Sequence, residues 1–253
     1  MNKKLNFNSL SNEQKDLHTV NAIKGLVIDG VRKANSGHPG GPMSLADFTY
    51  ILYSEFLSFD PENPDWKNRD RVILSVGHTC MLLYSILFLC GFLKKEDLKK
   101  FRQLESLTPG HPEIQTPGID ANTGPLGQGV GMGIGMALAE KSLSNSDKKR
   151  FTYILAGDGD LQEPIALGAS TLAGHWKLSN LIMFYDKNDI QIAGNTSRVD
   201  STDYAMLYEA MGWHVQEIDG HNHEEIRSAI KSAQLNEKPS IIIGRTVIAK
   251  GSH

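Results

Sequence analysis

Cysteine is nearly absent: Cys80 and Cys90 are the only two in 253 residues. They form neither a CxxC pair nor a disulfide framework, which fits a reducing cytoplasm. An excess of positive charge is also lacking, with 26 Lys and Arg against 29 Asp and Glu and a net charge of −3. That balance gives no electrostatic case for nucleic acid or an anionic membrane, so anionic substrates would have to be held by local positive groups. Long apolar runs are missing as well. The longest small-apolar stretch, around Gly129 to Ala139, is too short to span a bilayer. Met1-Asn2-Lys3-Lys4-Leu5 lacks the apolar core of a signal peptide. No repeat or low-complexity block is evident. What is present is ordinary for a globular protein: 40% hydrophobic and 22% charged residues, enough for a real core in one large domain or at most two.

Helix and strand signals alternate along the chain. Ser11 followed by Gln14 is a capping-box signature, after which Leu17, Val20, Ile23, Val27 and Val31 recur at helical spacing to about Asn35. Glycine and proline break this helix over Ser36 to Pro42, leaving His38 on a loop, and a second helix is predicted from Met43 to Phe56. Arg71-Val72-Ile73-Leu74 reads as a short strand leading to Gly77-His78, and Met81 to Leu89 as a strongly apolar, buried helix. From Gly127 to Gly135 glycine fills every second position. The Ala-Leu-Ala-Glu that follows favours a helix, with Gly127, Gly131 and Gly135 on one face. Each glycine costs such a helix about 1 kcal/mol relative to Ala, so close packing of another helix is the expected reason for them. The segment contains no GxGxxG and is no evidence for a dinucleotide site. Later elements are helix Ile165–His175, strand Leu181–Phe184, helix Tyr204–Met211, strand His214–Ile218, helix His223–Leu235 and strand Ser240–Val247. Alternation with short links implies an α/β fold, a mainly parallel sheet covered by helices on both faces.

Against that frame the most informative residues are Gly157-Asp158-Gly159 and, thirty positions after Asp158, Asn188 in Tyr185-Asp186-Lys187-Asn188. Each group ends an apolar run, Tyr153-Ile154-Leu155-Ala156 and Leu181-Ile182-Met183-Phe184. Asp158 and Asn188 are thus expected at the carboxyl ends of two strands, where open α/β sheets bind ligands. GDG alone is a common turn. One carboxylate and one amide oxygen suit Mg²⁺, which fills its octahedral shell with water and phosphate oxygens. Gly157 and Gly159 would let the backbone approach such a phosphate closely. The pattern reads as a site for a diphosphate held through a divalent ion.

GDG followed by Asn after a second strand resembles the thiamine diphosphate motif, and the flanking segments narrow the resemblance. Lys33-Ala34-Asn35-Ser36-Gly37-His38-Pro39-Gly40, Leu74-Ser75-Val76-Gly77-His78, Phe101-Arg102-Gln103, Thr108-Pro109-Gly110-His111-Pro112-Glu113 and Thr123-Gly124-Pro125-Leu126-Gly127-Gln128-Gly129 are similar, in order and spacing, to the transketolase family. The resemblance runs from about Leu17 to Ser252. It implies a three-layer α/β sandwich in which residues 1–253 form a single pyrophosphate-binding domain, with the pyrimidine-binding and C-terminal domains absent. It further implies thiamine diphosphate with Mg²⁺, or Ca²⁺ or Mn²⁺ as alternatives. The metal would be ligated by Asp158, Asn188 and the backbone carbonyl of Ile190. His78, Gly124, Leu126, Gly157, Gly159 and Ile248 would lie along the cofactor. His38 and His111 would bind or protonate sugar oxygens, as imidazole titrates near neutrality.

Glu163 would join the family's carboxylate network across a dimer interface, although the second glutamate is replaced here by Gly168 and a following glycine by Pro164. His175, His214, His221 and His223 fall in helix or surface-link contexts and receive no catalytic role, and His18 is expected to face solvent or packing. His253 does not align with the family's further active-site histidine and receives none either. The implied activity is reversible transfer of a two-carbon ketol unit from a ketose phosphate to an aldose phosphate, in the pentose phosphate pathway of the cytoplasm. It would require a C-terminal transketolase subunit carrying the pyrimidine domain, in a two-plus-two assembly, with no nucleic acid or membrane partner. The alternatives are half of a 2-oxo acid decarboxylating enzyme or deoxyxylulose phosphate synthase, and a non-catalytic cofactor-binding domain.

Overall fold

The structure, a computed structural model, describes residues 7–143, 149–192 and 194–252; Met1–Leu5 and His253, considered above, lie outside that set. The first helix, α1 (Asn12–Ala34), begins as its cap predicts. The Gln14 N–H donates to Ser11 Oγ at 3.2 Å, and the Ser11 N–H donates to Gln14 Oε1 at 3.0 Å. Val20, Ile23 and Val27 are buried, but Leu17 is exposed and stands outside the core stripe. Asn35 closes the helix in the left-handed region, φ 49°.

α2 (Gly40–Ile51) starts earlier than Met43. Pro42 lies in its first turn, where an N–H has no intrahelical acceptor, so proline is accommodated instead of breaking the helix. A π turn, Leu52–Phe56, continues it. Then follow β1 (Arg71–Leu74), α3 (Cys80–Leu89), the short α4 (Lys95–Leu98), α5 (Gln128–Leu143), β2 (Thr152–Gly157), the single turn α6 (Asp158–Leu161), α7 (Pro164–His175) and β3 (Leu181–Lys187). A two-residue ribbon pairs β4 (Ile190–Gln191) with β5 (Gly194–Asn195), and α8 (Tyr204–Ala210), β6 (His214–Asp219), α9 (His223–Leu235) and β7 (Ser240–Arg245) complete the chain. β3 runs past Phe184 to Lys187, and β7 stops at Arg245, short of Val247.

The five long strands form one parallel sheet in the order β1-β2-β3-β7-β6. From β1 through β3 to β6 the chain steps across the sheet in one direction, and from β6 it steps back to β7. Right-handed crossovers then require the connecting helices to change faces. α5, α7 and α8 cover one face, and α9 joins α1, α2 and α3 on the other. Strand alternation divides the core accordingly. Val72, Leu74, Leu155, Ile182, Phe184 and Ile242 face the α1/α2/α3/α9 layer, while Ile73, Ile154, Met183, Tyr185, Ile241 and Ile243 face the other. Phe184 stacks on Phe48 of α2 with ring centroids 3.9 Å apart.

The expected helix contact is present at Gly127, just before α5, where a Cβ would lie 2.6 Å from Glu163, but α5 itself approaches the sheet more closely than it approaches α7. Its closest approach is through Gly129 and Gly133, which face the sheet: a Cβ on Gly129 would lie 2.5 Å from Ser75 Cα, and one on Gly133 2.6 Å from Ile154. Gly127 and Gly131 do face another helix, meeting Ile165 of α7, whereas nothing lies near Gly135. Gly129→Ala is therefore expected to destabilise the protein by about 1–3 kcal/mol through overpacking against backbone. Gly135→Ala should stabilise it by up to about 1 kcal/mol through helix propensity. Urea denaturation of the two variants, with equal effects as the contrary result, checks this.

Candidate active site

The carboxyl ends of β1, β2, β3 and β7 open onto one edge of the sheet, and the expected site residues gather there. Asp158 directly follows β2 and Asn188 directly follows β3. The two are joined: the backbone N–H groups of Asn188 and Asp189 both donate to Asp158 Oδ2 at 3.1 Å, and Tyr185 Oη donates to Oδ1 at 2.8 Å. Asp158 is only 5% exposed. Burial pushes its carboxyl up to about 6, against the pull of the Tyr185 and Asn188 bonds and with a further push from the Asp186 and Asp189 carboxylates. Asn188 is fixed at both ends of its amide, donating from Nδ2 to Asp186 at 2.8 Å and accepting from the Ile190 N–H at 3.1 Å.

The donors available are hard oxygens: the Asp158 carboxylate, the Asn188 amide oxygen and the Ile190 carbonyl. A buried carboxylate crowded by two others is also where a divalent cation would relieve like-charge repulsion. The residues therefore fit the expected ion. Among the described residues no cluster of three or more His, Cys, Asp or Glu is placed to hold a metal, and the expected set contains only one such residue.

Asp186 has no part in the sequence-level reading, yet it organises this edge. It is 2% exposed and accepts from Ser44 Oγ at 2.6 Å, Thr246 Oγ1 at 2.5 Å and Asn188 Nδ2. Strand alternation carries the signal that finds it, since Asp186 shares a face with the buried Ile182 and Phe184.

The three histidines come from three different connections and meet. His38 precedes α2, His78 lies in the turn Gly77–Thr79 after β1, and His111 lies between α4 and α5. The His38 and His78 rings are 5.1 Å apart, edge to face. His111 packs on Gly124, whose φ of +157° and lack of Cβ leave space for the ring 3.3 Å from the Cβ position. Gly77 is pressed against the backbone of Thr123 and Gly124, which seats His78 beside that loop. Tyr84 Oη bridges the carbonyls of Pro109 and His111, at 3.0 and 2.9 Å, and fixes the His111 loop from below. Arg102 Nη1 donates to Ser36 Oγ at 2.8 Å and braces the His38 loop.

All three imidazoles are held toward the neutral form. Burial lowers His38 and His111, and the Arg102 charge adds to both. His78 is pushed down to about 4 by burial and then by His38 and His111.

Of the remaining expected residues, Leu126 lies 3.6 Å from the Cβ position of Gly159, and a Cβ on Gly157 would press on Val76. Ile248 is partly exposed and packs against Gly40 at the start of α2. Glu163 stands at the N-cap of α7 but makes no capping bond, and its side chain packs on Gly127. Next to it, Asp160 is fully buried and accepts from the Gly127 N–H at 2.6 Å, with its second oxygen unpaired. His223 opens α9 and His221 lies in the link before it, as expected, but neither side chain is at the surface. Both bind the carboxylate of Asp47, at 3.0 and 2.9 Å, inside a largely buried ionic cluster with Lys24, Asp16 and Arg227. Asp47 lies 174 residues before His221, so no local pattern could have shown the pairing.

A carboxylate and an amide stand at adjacent strand ends, with three imidazoles beside them, on one edge of a doubly covered parallel sheet, the arrangement of an α/β enzyme. Comparison with known proteins narrows the class. Residues 15–253 match the family described as transketolase, thiamine diphosphate binding domain. Transketolase 2 of Escherichia coli is 50% identical over 250 residues, covering 94% of this chain and 37% of that protein. The crystal structure of transketolase from Campylobacter jejuni superposes with a TM-score of 0.89 at 48% identity, over 92% of this chain and 37% of that one. A transketolase from Pichia stipitis, solved in complex with sedoheptulose 7-phosphate, matches with a TM-score of 0.88 at 41% identity, over 94% of this chain and 37% of its own. The chain belongs to the transketolase family and spans a little over a third of the length of these relatives.

The His78 shift has a measurable consequence. Between its folded value of about 4 and the ordinary 6.5, the unfolded chain binds a proton that the folded chain excludes. Stability conferred by the neutral ring is thus complete above pH 6.5 and falls as the pH drops toward 4. Each unit is worth about 1.4 kcal/mol at most. Denaturant titrations from pH 7 to 4.5 should show this slope in the wild type and a shallower one in His78→Gln. Equal slopes would contradict a buried neutral His78.

Proposed function

We propose that this chain is the thiamine diphosphate-binding portion of a transketolase, and that it transfers a two-carbon ketol unit between a ketose phosphate and an aldose phosphate once joined by a C-terminal portion. The observation that carries the reading is the pairing of Asp158 with Asn188 across the ends of β2 and β3, with His38, His78 and His111 gathered at the same edge. Mg²⁺ would be held by Asp158, the Asn188 amide oxygen and the Ile190 carbonyl, with Ca²⁺ or Mn²⁺ as substitutes. Gly157 and Gly159 leave the GDG turn without side chains beside that ion, and His78, Gly124, Leu126 and Ile248 would line the cofactor. When bound, thiamine diphosphate supplies the nucleophilic carbon and the electron sink for carbon–carbon cleavage.

The chain's own contribution is to hold and protonate. Burial and then Arg102 lower His38 and His111 toward the neutral form, in which each ring would offer one donor and one acceptor to sugar hydroxyls. Neutral imidazoles also accept a proton without first having to lose one. Glu163, at the start of α7, would enter a carboxylate network with a partner. The sedoheptulose 7-phosphate bound by the Pichia stipitis relative supports a sugar phosphate as substrate. Relatives nearly three times this length support a C-terminal partner portion; in the proposal that portion supplies the pyrimidine-binding domain, in a two-plus-two assembly. No helix among the described residues is long and apolar enough to cross a membrane, in keeping with a role in cytoplasmic sugar-phosphate metabolism.

Calorimetric titration with thiamine diphosphate and Mg²⁺ tests the site. Asp158→Ala and Asn188→Ala should each weaken binding by more than the roughly 10–100-fold typical of outer-shell changes, and unchanged affinity in both would refute the assignment. The ketol-transfer assay tests the division of labour. This chain alone should show no appreciable activity and should gain it with its C-terminal portion, so robust turnover by the chain alone would sink that part of the proposal.

A further inference from the structure

Beyond the Thr246 N–H bond to the Lys187 carbonyl at 3.1 Å, which extends the β3–β7 ladder, three ties hold the segment after β7. Thr246 Oγ1 donates to Asp186 at 2.5 Å, the Val247 N–H donates to His221 Nε2 at 3.0 Å, and the Ala249 N–H donates to the Gly40 carbonyl at 3.0 Å. Ile248 lies between the second and third ties, with its side chain against Gly40 beside the His38 loop. The first and third ties run to elements that already form the site. The second runs to a side chain that sequence reasoning left without a role.

The chemistry of His221 is fixed by its partners. The side chain is 5% exposed. Its Nδ1 lies 3.0 Å from Asp47 Oδ2. Burial pushes Asp47 up, but the bonds from His221 and His223 and the charge of Lys24 hold it well below the usual carboxylate range. Asp47 therefore only accepts, and the His221 Nδ1 carries the hydrogen. A backbone N–H only donates, so Nε2 must present its lone pair to Val247. One tautomer of the neutral ring satisfies both. The turn that carries His221 is also set close by construction: the Gly220 N–H donates to the Arg245 carbonyl at 2.9 Å, and a Cβ on Gly220 would collide with Thr246 at 2.5 Å.

We propose that His221 is a positioning residue of the cofactor site, its Nε2 anchoring the Val247 backbone and thereby holding Ile248 where it lines the cofactor. This rests on the thiamine diphosphate reading given above. His221 touches neither cofactor nor substrate; it acts through Val247.

Two substitutions separate the two ring nitrogens. His221→Gln places an amide oxygen near the position of Nε2, keeping an acceptor for Val247 and losing the donor to Asp47. His221→Asn places an amide nitrogen near Nδ1, keeping the donor and losing the acceptor. In the enzyme assembled from this chain and its C-terminal portion, two quantities are read: thiamine diphosphate affinity in the presence of Mg²⁺, and amide hydrogen exchange over Val247 to Ala249. His221→Gln should bind within about twofold of wild type, whereas His221→Asn should bind on the order of three- to tenfold more weakly, the value of one net hydrogen bond. Exchange at Val247 should be faster in the asparagine variant alone. The opposite order, or unchanged exchange at Val247 in His221→Asn, would overturn the anchor and indicate that His221 serves only to support Asp47. Where asparagine is not tolerated, His221→Gln decides: wild-type affinity supports the anchor and a several-fold loss overturns it. Failure of the wild-type enzyme to bind thiamine diphosphate would instead overturn the cofactor reading, and the role of His221 with it.

Discussion

Three separate pieces of the site hang on one buried carboxylate. Asp186 accepts from Ser44 on α2, from Thr246 just beyond β7 and from Asn188 just beyond β3. Burial pushes its carboxyl up, and those three donors offset part of the cost of keeping charge there. Oδ1 depends on Thr246 alone, so removing that hydroxyl would leave a buried oxygen without a partner, whereas Ser44 and Asn188 share Oδ2. The arrangement therefore tolerates only one relative placement of the His38 loop, the Asn188 turn and the Ile248 segment. The metal site proposed above, with one carboxylate and one amide, would have little rigidity of its own and would draw its precision from such a support.

Electrostatics at the same edge divides into two zones. Asp158, Asp186 and Asp189 crowd negative charge around the ends of β2 and β3, where a divalent ion would be welcome. A few residues away, burial lowers three imidazoles toward the neutral form, helped by Arg102 at His38 and His111 and by the neighbouring rings at His78 and His111. On the proposed function, one zone would hold a cation together with a diphosphate, and the other would exchange hydrogen bonds with neutral hydroxyls. The separation follows from topology, since the carboxylates come from strand ends and the histidines from loops that pack over them.

Much of this was readable before any coordinates. Ser11 and Gln14 announced the start of α1, helix His223–Leu235 appeared at its predicted bounds, and paired apolar runs placed Asp158 and Asn188 at strand ends. These are local signals, set by capping and by the period of the side chains. What escaped depends on distant partners. Ser44 reaches Asp186 across 142 residues and Asp47 reaches His221 across 174, so neither bond has a local pattern. The packing of the α5 glycines was only partly legible for a related reason. Their spacing defines two possible faces, and only the packing of the helix on the sheet decides that Gly129 and Gly133 need the closer approach. α2 starts at Gly40 and not at Met43 because proline in a first turn costs the helix no hydrogen bond, so Pro42 extends the helix where its composition suggests a break.

The N-terminus of α7 carries one carboxylate that packing within this chain explains and one that it does not. Asp160 and Glu163 put two carboxylates near the start of that helix, where its dipole favours negative charge. Asp160 is spent internally: it is buried and holds the Gly127 N–H at the head of α5, the turn that carries Leu126 toward Gly159. Glu163 makes no capping bond, although it stands in the capping position. Gly168, where the resemblance expects a second glutamate, has open space at its Cβ position, so packing within this chain does not force the glycine. Local stability therefore accounts for Asp160 and for Pro164, whose missing N–H costs nothing at N1. It does not account for Glu163. A carboxylate placed beside the site, half-buried and unused by its own helix, is what a contact from outside the chain would require.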